Sequence, residues 1–376
     1  MGACGNRFVK ISAGMKKVLY VFVAFFMLQM GAFAQTNFEE LTLAKALEKA
    51  KAENKLVFVD TYTSWCMPCK YMANTIFPKS EMGEYLNPRF VCVKYNTEEG
   101  EGAEIMKRYE ISAFPTFLIL NTEGEVQHKI VGGSETAKDF IKRVAEGLDE
   151  DKAIGILAAK YGRGDRDIEL LVKYARALLA VDDPLTVQVA NELISKLNDS
   201  QRVDSAYWFI YEHPVLTQVG SPNMEYLLAN TERFQKSIGA GRVNEKIATA
   251  FDLQLTNMIT GRDRQSGVEA IDKVEKEMEK YEFPSKSRLK LFVEIARVQR
   301  SGDVEKLLQV CEKNIPQIEH EHLLAMFFPL SLTIKRNGNE NQQQRILKLA
   351  KKLLAETTND KFKFSLGQFI PYALEK

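Results

Sequence analysis

The chain has 376 residues, 45% of them hydrophobic and 27% charged, with 51 Lys and Arg against 50 Asp and Glu for a net charge of +1. That length supports two domains with separate cores, and the ordinary apolar fraction marks a globular protein rather than a disordered or fibrous one. Near-neutrality gives no footing for broad polyanion binding, so no nucleic-acid partner is expected.

Residues 1–34 read as an upstream extension followed by a signal peptide. Met15-Lys16-Lys17 supplies a basic start, Val18 to Met30 an apolar stretch, and Ala32-Phe33-Ala34 a small-x-small cleavage motif before Gln35. Cleavage near Ala34 would place the remainder in an extracytoplasmic space, most simply a periplasm, and remove Cys4. The alternative is an uncleaved membrane anchor, because the apolar stretch extended through Ala34 approaches the shorter limit for a span.

From residue 37 to 54, Phe38, Leu41, Leu43, Ala44, Ala46, Leu47 and Ala50 follow amphipathic helical spacing. Leu56-Val57-Phe58-Val59 then reads as a short buried strand that ends in Asp60. Next comes Thr63-Ser64-Trp65-Cys66-Met67-Pro68-Cys69-Lys70, and helical spacing continues through Met72, Ile76 and Phe77. Cys66 therefore falls in the first turn of a helix. Unsatisfied backbone N–H groups and the positive end of the helix dipole favour its thiolate there, making it the nucleophile. Cys69 faces the same side one turn deeper, close enough to close a small disulfide and shielded enough to act second.

Three further residues stand where such a dithiol needs them. Burial of Asp60 at the strand end raises its pKa and fits it to shuttle the Cys69 proton. Lys94, in Phe90-Val91-Cys92-Val93-Lys94, comes from a second strand and tunes that carboxylate by its charge. Pro115, in Ser112-Ala113-Phe114-Pro115-Thr116, opens the strand Phe117-Leu118-Ile119-Leu120 and points to a tight turn with a cis peptide.

In order and spacing, Asp60, Trp65-Cys66-Met67-Pro68-Cys69-Lys70, Lys94, Phe114-Pro115-Thr116, Gly124-Glu125 and Gly132 resemble the thioredoxin superfamily over roughly residues 37–148. With Met72 and Ile76-Phe77-Pro78 added, the segment looks most like the branch that includes the periplasmic thioredoxin-like domain of transmembrane electron carriers. The resemblance implies a disulfide oxidoreductase in which Cys66 attacks, Cys69 resolves, Asp60 assists and cis-Pro115 lies beside the dithiol. Thioredoxin has Gly where this chain has Met67, a change that bears on redox potential and substrate preference. No cofactor is expected beyond the redox-active Cys66–Cys69 disulfide.

The remaining elements are a strand at 90–95, a helix around 101–109, strands at 116–121 and 125–131 joined by a Gly124 hairpin, and a helix over 134–148. Parallel strands joined by a helix and followed by an antiparallel pair predict an α/β sandwich: a mixed central sheet with flanking helices. It spans residues 35–148, with the dithiol at the C-terminal end of a strand. From 149 to 376 strand signals vanish. Helical segments are separated by Gly162-Arg163-Gly164, Asp182-Asp183-Pro184, Gly220-Ser221-Pro222, Gly239-Ala240-Gly241, Pro284, Gly302-Asp303, Gly338 and Asp360. Tyr174-Ala175-Leu178-Leu179 and Ala296-Arg297 weakly echo tetratricopeptide spacing. The expectation is an all-α helical array of repeat-like character; a compact helical domain without repeats is the alternative.

Trp65, Met67, Pro68, Phe114 and Gly132 are the candidate substrate-binding residues, with internal packing as the competing role for Trp65 and Phe114. Phe114 would present backbone groups to an extended substrate strand. A zinc half-site at Cys66 and Cys69 lacks a second ligand pair, since Cys92 falls in a strand and Cys311 in the helical region. His320-Glu321-His322 lacks the i, i+4 histidines of a helical zinc site and reads as solvated surface. Cys92 and Cys311 read as buried thiols without a redox role.

The functional expectation is an exported thiol-disulfide oxidoreductase that reduces or isomerises protein disulfides. Its expected partners are protein disulfide substrates, a membrane electron donor and a protein client on the helical domain. Pro68, set by the resemblance against the His of strong oxidants, leaves the Cys66 thiolate less stabilised and favours the reducing direction. The alternative is an extracytoplasmic scaffold whose thioredoxin domain is vestigial.

Overall fold

A computed structural model describes residues 35–375 except 264–266, 285 and 319. The expected signal segment and the side chains of His320, Glu321 and His322 lie outside what is described. The chain divides into two compact units between Lys196 and Leu197.

In the first unit the central strand is β1 (Leu56–Tyr62), with all but its end residues buried. It pairs in parallel with β2 (Phe90–Asn96) and antiparallel with β3 (Thr116–Leu120), which pairs antiparallel with β4 (Val126–Val131). The sheet order is β2-β1-β3-β4. This is the mixed, thioredoxin-like sheet expected of the sequence. Gly124 takes a φ of +79° in the β3–β4 turn, a conformation open to glycine at little cost.

Because β1 is covered on both faces, its residues form one continuous apolar run whose alternate members enter different cores. Phe58 points to the face where it meets Phe117 and Phe140, at ring centroid distances of 5.8 and 6.2 Å. Val57 and Val59 point the other way, toward Ala46, Ala50 and Ile105. Ala46 and Ala50 belong to α1 (Leu43–Glu53), which Thr42 caps by accepting the Lys45 N–H.

The dithiol helix α2 (Met67–Tyr71) runs into a single π turn, Met72–Ile76, which buries Met72 and Ile76. Then follow α3 (Ser80–Leu86), α4 (Gly100–Arg108) and α5 (Ala137–Glu146). The short α3 was not among the expected elements. Its seven residues bury Met82 and Leu86 but span too few turns to carry a clear period. Thr136 caps α5, which buries Ala137, Phe140 and Val144.

The same unit continues past residue 148 through α6 (Ile154–Gly162), α7 (Ile168–Leu179) and α8 (Leu185–Lys196). α6 lies against β4 so closely that a Cβ at Gly155 would sit 1.9 Å from the Val126 carbonyl oxygen. The Ile154 N–H also donates to Nδ1 of buried His128, and burial pushes that imidazole down to about 4.

The second unit is predominantly helical. Several of its breaks act as caps: Ser221 accepts the Met224 N–H at the start of the helix Pro222–Ala229, and Asp303 accepts the Lys306 N–H ahead of Val304–Asn314. Among the described residues, no helix is long and apolar enough to cross a membrane.

Candidate active site

The chain leaves β1 at Tyr62 and turns through Thr63, Ser64 and Trp65 into α2. Cys66 is the N-cap, with extended backbone, and its Sγ accepts the Cys69 N–H at 3.2 Å. Pro68 sits in the first turn, where its missing N–H leaves no intrahelical bond unmade. The two sulfurs are bonded to each other, across Cα atoms 5.3 Å apart. The structure therefore shows the oxidised form. On reduction, the N–H now resting on Cys66 Sγ becomes a donor to a thiolate at a helix N-terminus.

Exposure does not separate the two sulfurs as the sequence led one to expect. Cys66 is 3% exposed and Cys69 6%, so neither protrudes. Capping makes Cys66 turn its side chain inward over the first helical N–H groups, while neighbouring Trp65 and Met67 stand out in solvent. What distinguishes Cys66 is the N–H bond to its sulfur.

Asp60 is buried near the C-terminal end of β1, directly opposite Lys94 in the parallel register. Burial pushes its carboxyl up to about 7, with the positive charge of exposed Lys94 working in the other direction. Both residues line a cavity of about 280 Å³, as does Ala73, one helical turn after Cys69.

The Phe114–Pro115 peptide bond is cis. The Pro115 carbonyl accepts the Gly132 N–H at 2.8 Å, tying the start of β3 to the end of β4. The Phe114 ring meets the Trp65 indole edge-on at 6.2 Å, so Phe114 joins the exposed rim while remaining half-buried itself. Met67 and Pro68 are exposed on the same rim, and Gly132, with a φ of +81°, turns the chain beside Pro115.

Two residues that sequence reasoning passed over hold this rim in place. The Glu98 carboxylate accepts the Ser64 N–H at 2.8 Å, the Ser64 hydroxyl at 2.7 Å and the Trp65 Nε1–H at 2.9 Å. Those bonds, the Ser64 N–H foremost, keep its pKa below the usual carboxylate range. Arg143 on α5 donates to the carbonyls of Val131, Gly132 and Gly133, fixing the loop that follows β4. That loop also rests on α2, where the Ser134 N–H approaches Met72 Sδ at 3.4 Å and the Tyr71 hydroxyl donates to the Glu135 carbonyl. Glu98 had one legible clue: parallel β1 and β2 end on the same side of the sheet, so residues just past Lys94 emerge beside the dithiol turn.

Cys92 and Cys311 are buried free thiols, each pushed up to about 12 by burial. Neither is poised to form a thiolate at neutral pH. Among the described residues, no group of three or more His, Cys, Asp or Glu is placed to hold a metal ion.

A four-stranded mixed sheet with a CxxC disulfide at the head of the helix leaving its central strand, and a cis-proline just ahead of the neighbouring strand β3, defines a thioredoxin-like domain. The family model for the thioredoxin-like domain matches residues 43–147. Thioredoxin-1 of Saccharomyces cerevisiae is 36% identical over 94 residues, which cover 25% of this chain and 84% of that protein. The chloroplastic thioredoxin Y of Oryza sativa is 32% identical over 122 residues, covering 32% and 68%. The chain belongs to the thioredoxin family, through this domain. The thiol:disulfide interchange protein DsbD of Pseudomonas fluorescens is 29% identical over 103 residues, 27% of this chain but only 18% of that much longer protein. Among solved structures, that of a Bacteroides thetaiotaomicron protein proposed to be a disulphide-isomerase is 40% identical, covering 31% of this chain and 95% of its own, with a TM-score of 0.29. A domain of this family with an intact CxxC pair that forms a disulfide is a thiol-disulfide oxidoreductase domain.

Proposed function

We propose that the chain is an extracytoplasmic thiol-disulfide oxidoreductase that reduces or isomerises disulfides in other proteins. The observation that carries this reading is the Cys66–Cys69 disulfide at a helix N-terminus, with the Cys69 N–H placed on Cys66 Sγ. The signal-like sequence before Gln35 supports export.

In the reduced enzyme the Cys66 thiolate attacks one sulfur of a substrate disulfide, and the substrate S–S bond breaks as a mixed disulfide forms. The substrate segment lies along the rim of Trp65, Met67, Pro68, Phe114 and Gly132, with its backbone beside Pro115. Asp60 then takes the Cys69 proton through the cavity below, and the Cys69 thiolate attacks Cys66 Sγ. One substrate sulfur left as a thiolate when the mixed disulfide formed, and the sulfur bound to Cys66 now leaves as the second; two electrons have passed to the substrate and the enzyme is left in the oxidised form. A carboxyl with a pKa of about 7 suits this role, because it is both available as a base and able to release the proton again at neutral pH. Return to the dithiol requires an external reductant, for which a membrane electron carrier is the proposed class.

Reduction of insulin in the presence of dithiothreitol tests the reading. Wild type should accelerate precipitation of the insulin chains and Cys66→Ser should not; equal rates would leave only a scaffold. The direction is tested by equilibrating the dithiol with glutathione. A potential well below that of the glutathione couple supports reduction, and a strongly oxidising value would overturn it.

A further inference from the structure

The second unit contains a cavity of about 270 Å³ between the helix Ala240–Thr260 and the segment that follows the helix Trp208–Glu212. Lys246, Ala250, Leu253 and Asn257 recur at helical spacing along one wall, and Val215 and Val219 stand on the other.

Lys246 is 8% exposed, and its Nζ donates to the Thr217 carbonyl at 3.2 Å. An ammonium has three N–H donors, and this carbonyl takes one. The nearby carboxylate of Glu212 is engaged by Arg242, whose Nη2 reaches both its oxygens at 2.6 and 2.8 Å. Among the described residues, no Asp or Glu lines the cavity. Burial of the ammonium pulls its pKa down to about 8, with the charge of Glu212 working in the other direction. Asn257 is complementary. Its Oδ1 is buried and has no hydrogen-bond partner among the described residues. Eleven residues of helix separate the two, about 16 Å of rise, and Ala250 and Leu253 lie between them.

We infer that this cavity binds the free C-terminus of an extended peptide with aliphatic side chains, its carboxylate on Lys246 and an upstream backbone N–H on Asn257 Oδ1. An extended chain advances about 3.3 Å per residue, so the last four or five residues span the two polar groups. The side chains between meet Val215, Val219, Ala250 and Leu253. An amidated C-terminus would leave Lys246 without its anion, so a free carboxylate is the determinant. This gives the helical unit a recognition role of its own, independent of the dithiol chemistry.

The test uses the full chain and a fluorescein-labelled Ala-Ala-Ala-Leu peptide, as free acid and as C-terminal amide, followed by fluorescence anisotropy. The free acid should bind about tenfold tighter or more, the size of one charge-assisted contact made in a buried site. Lys246→Met should remove the preference. Leu253→Glu, at a position 42% exposed where a charge does not threaten the fold, should weaken acid and amide alike, because it takes an aliphatic contact from the cavity wall. Equal affinity for acid and amide, no binding at about 1 mM protein, or an unchanged preference in Lys246→Met would overturn the assignment. Competition by N-acetyl-leucine as effective as that of the tetrapeptide would overturn the extended-peptide reading in favour of a single amino-acid site.

Discussion

Glu98 and Trp65 meet where the parallel strands β1 and β2 run out: one carboxylate oxygen takes the indole N–H, and the other takes the N–H and hydroxyl of Ser64. The turn that delivers Cys66 is therefore held from outside as well as by the helix it caps. Trp65 in turn braces Phe114, so one surface carboxylate orients both sides of the proposed substrate rim.

Glu98→Ala should leave the fold intact and slow insulin reduction several-fold, with the loss falling mainly on KM because the rim rather than the dithiol is disturbed. Glu98→Gln keeps an acceptor oxygen and should lie between the two. Trp65 is one of only two tryptophans, and Trp208 is buried, so the emission of exposed Trp65 should shift when its partner is removed. Unchanged kinetics with a shifted emission would confine Glu98 to a purely local role.

Asp60 gives a pH dependence of definite sign. Its folded pKa, about 7, lies above the ordinary 3.8, so the folded state holds a proton that the unfolded chain has lost. Its contribution to stability accordingly falls as pH rises from about 4 to about 7 and is flat above that. The full penalty is on the order of 4 kcal/mol, from about three pKa units at 1.36 kcal/mol each. Asp60→Asn should flatten this part of the profile and raise the melting temperature of the first unit at pH 8 more than at pH 5. The same variant should slow the resolving step and remove its rise through neutral pH, read by single-turnover formation of the Cys66–Cys69 disulfide.

Gly155 is required by contact rather than by dihedral freedom. Alanine there drives a methyl into the Val126 carbonyl, and separating α6 from β4 enough to relieve it should cost about 1–3 kcal/mol. Urea denaturation of Gly155→Ala should show an earlier midpoint. Since the contact lies on β4, away from the CxxC turn, the folded fraction should keep wild-type dithiol reactivity.

These positions show what was legible in the sequence. The run Leu56 to Val59, the CxxC that follows it and the proline before Thr116 are local signals, each dictated by a strand period, a helix start or a turn, and all three are seen in the fold. Burial of Asp60 was readable only in part: its place at the end of an apolar run suggested it, while a solvated strand end was also open to the pattern. Glu98 and Arg143 were not readable, because their role is to bond backbone and indole groups 10 to 34 positions away, and no periodicity encodes such partners. The low exposure of Cys66 escaped for a related reason: an N-cap side chain folds back over its own helix, and the spacing of the cysteines does not reveal how far. In the same way, Gly155 looks like a poor helix residue until the strand against it is known.

The most direct measurement is covalent trapping with the resolving sulfur removed. Cys69→Ala, expressed in the native host as the full chain, should accumulate mixed disulfides with other proteins on Cys66, visible as high-mass species that dithiothreitol releases and that Cys66→Ala does not form. If Cys69→Ala forms no such adducts, or forms them equally when Cys66 is absent, Cys66 is not the attacking sulfur and the oxidoreductase reading fails.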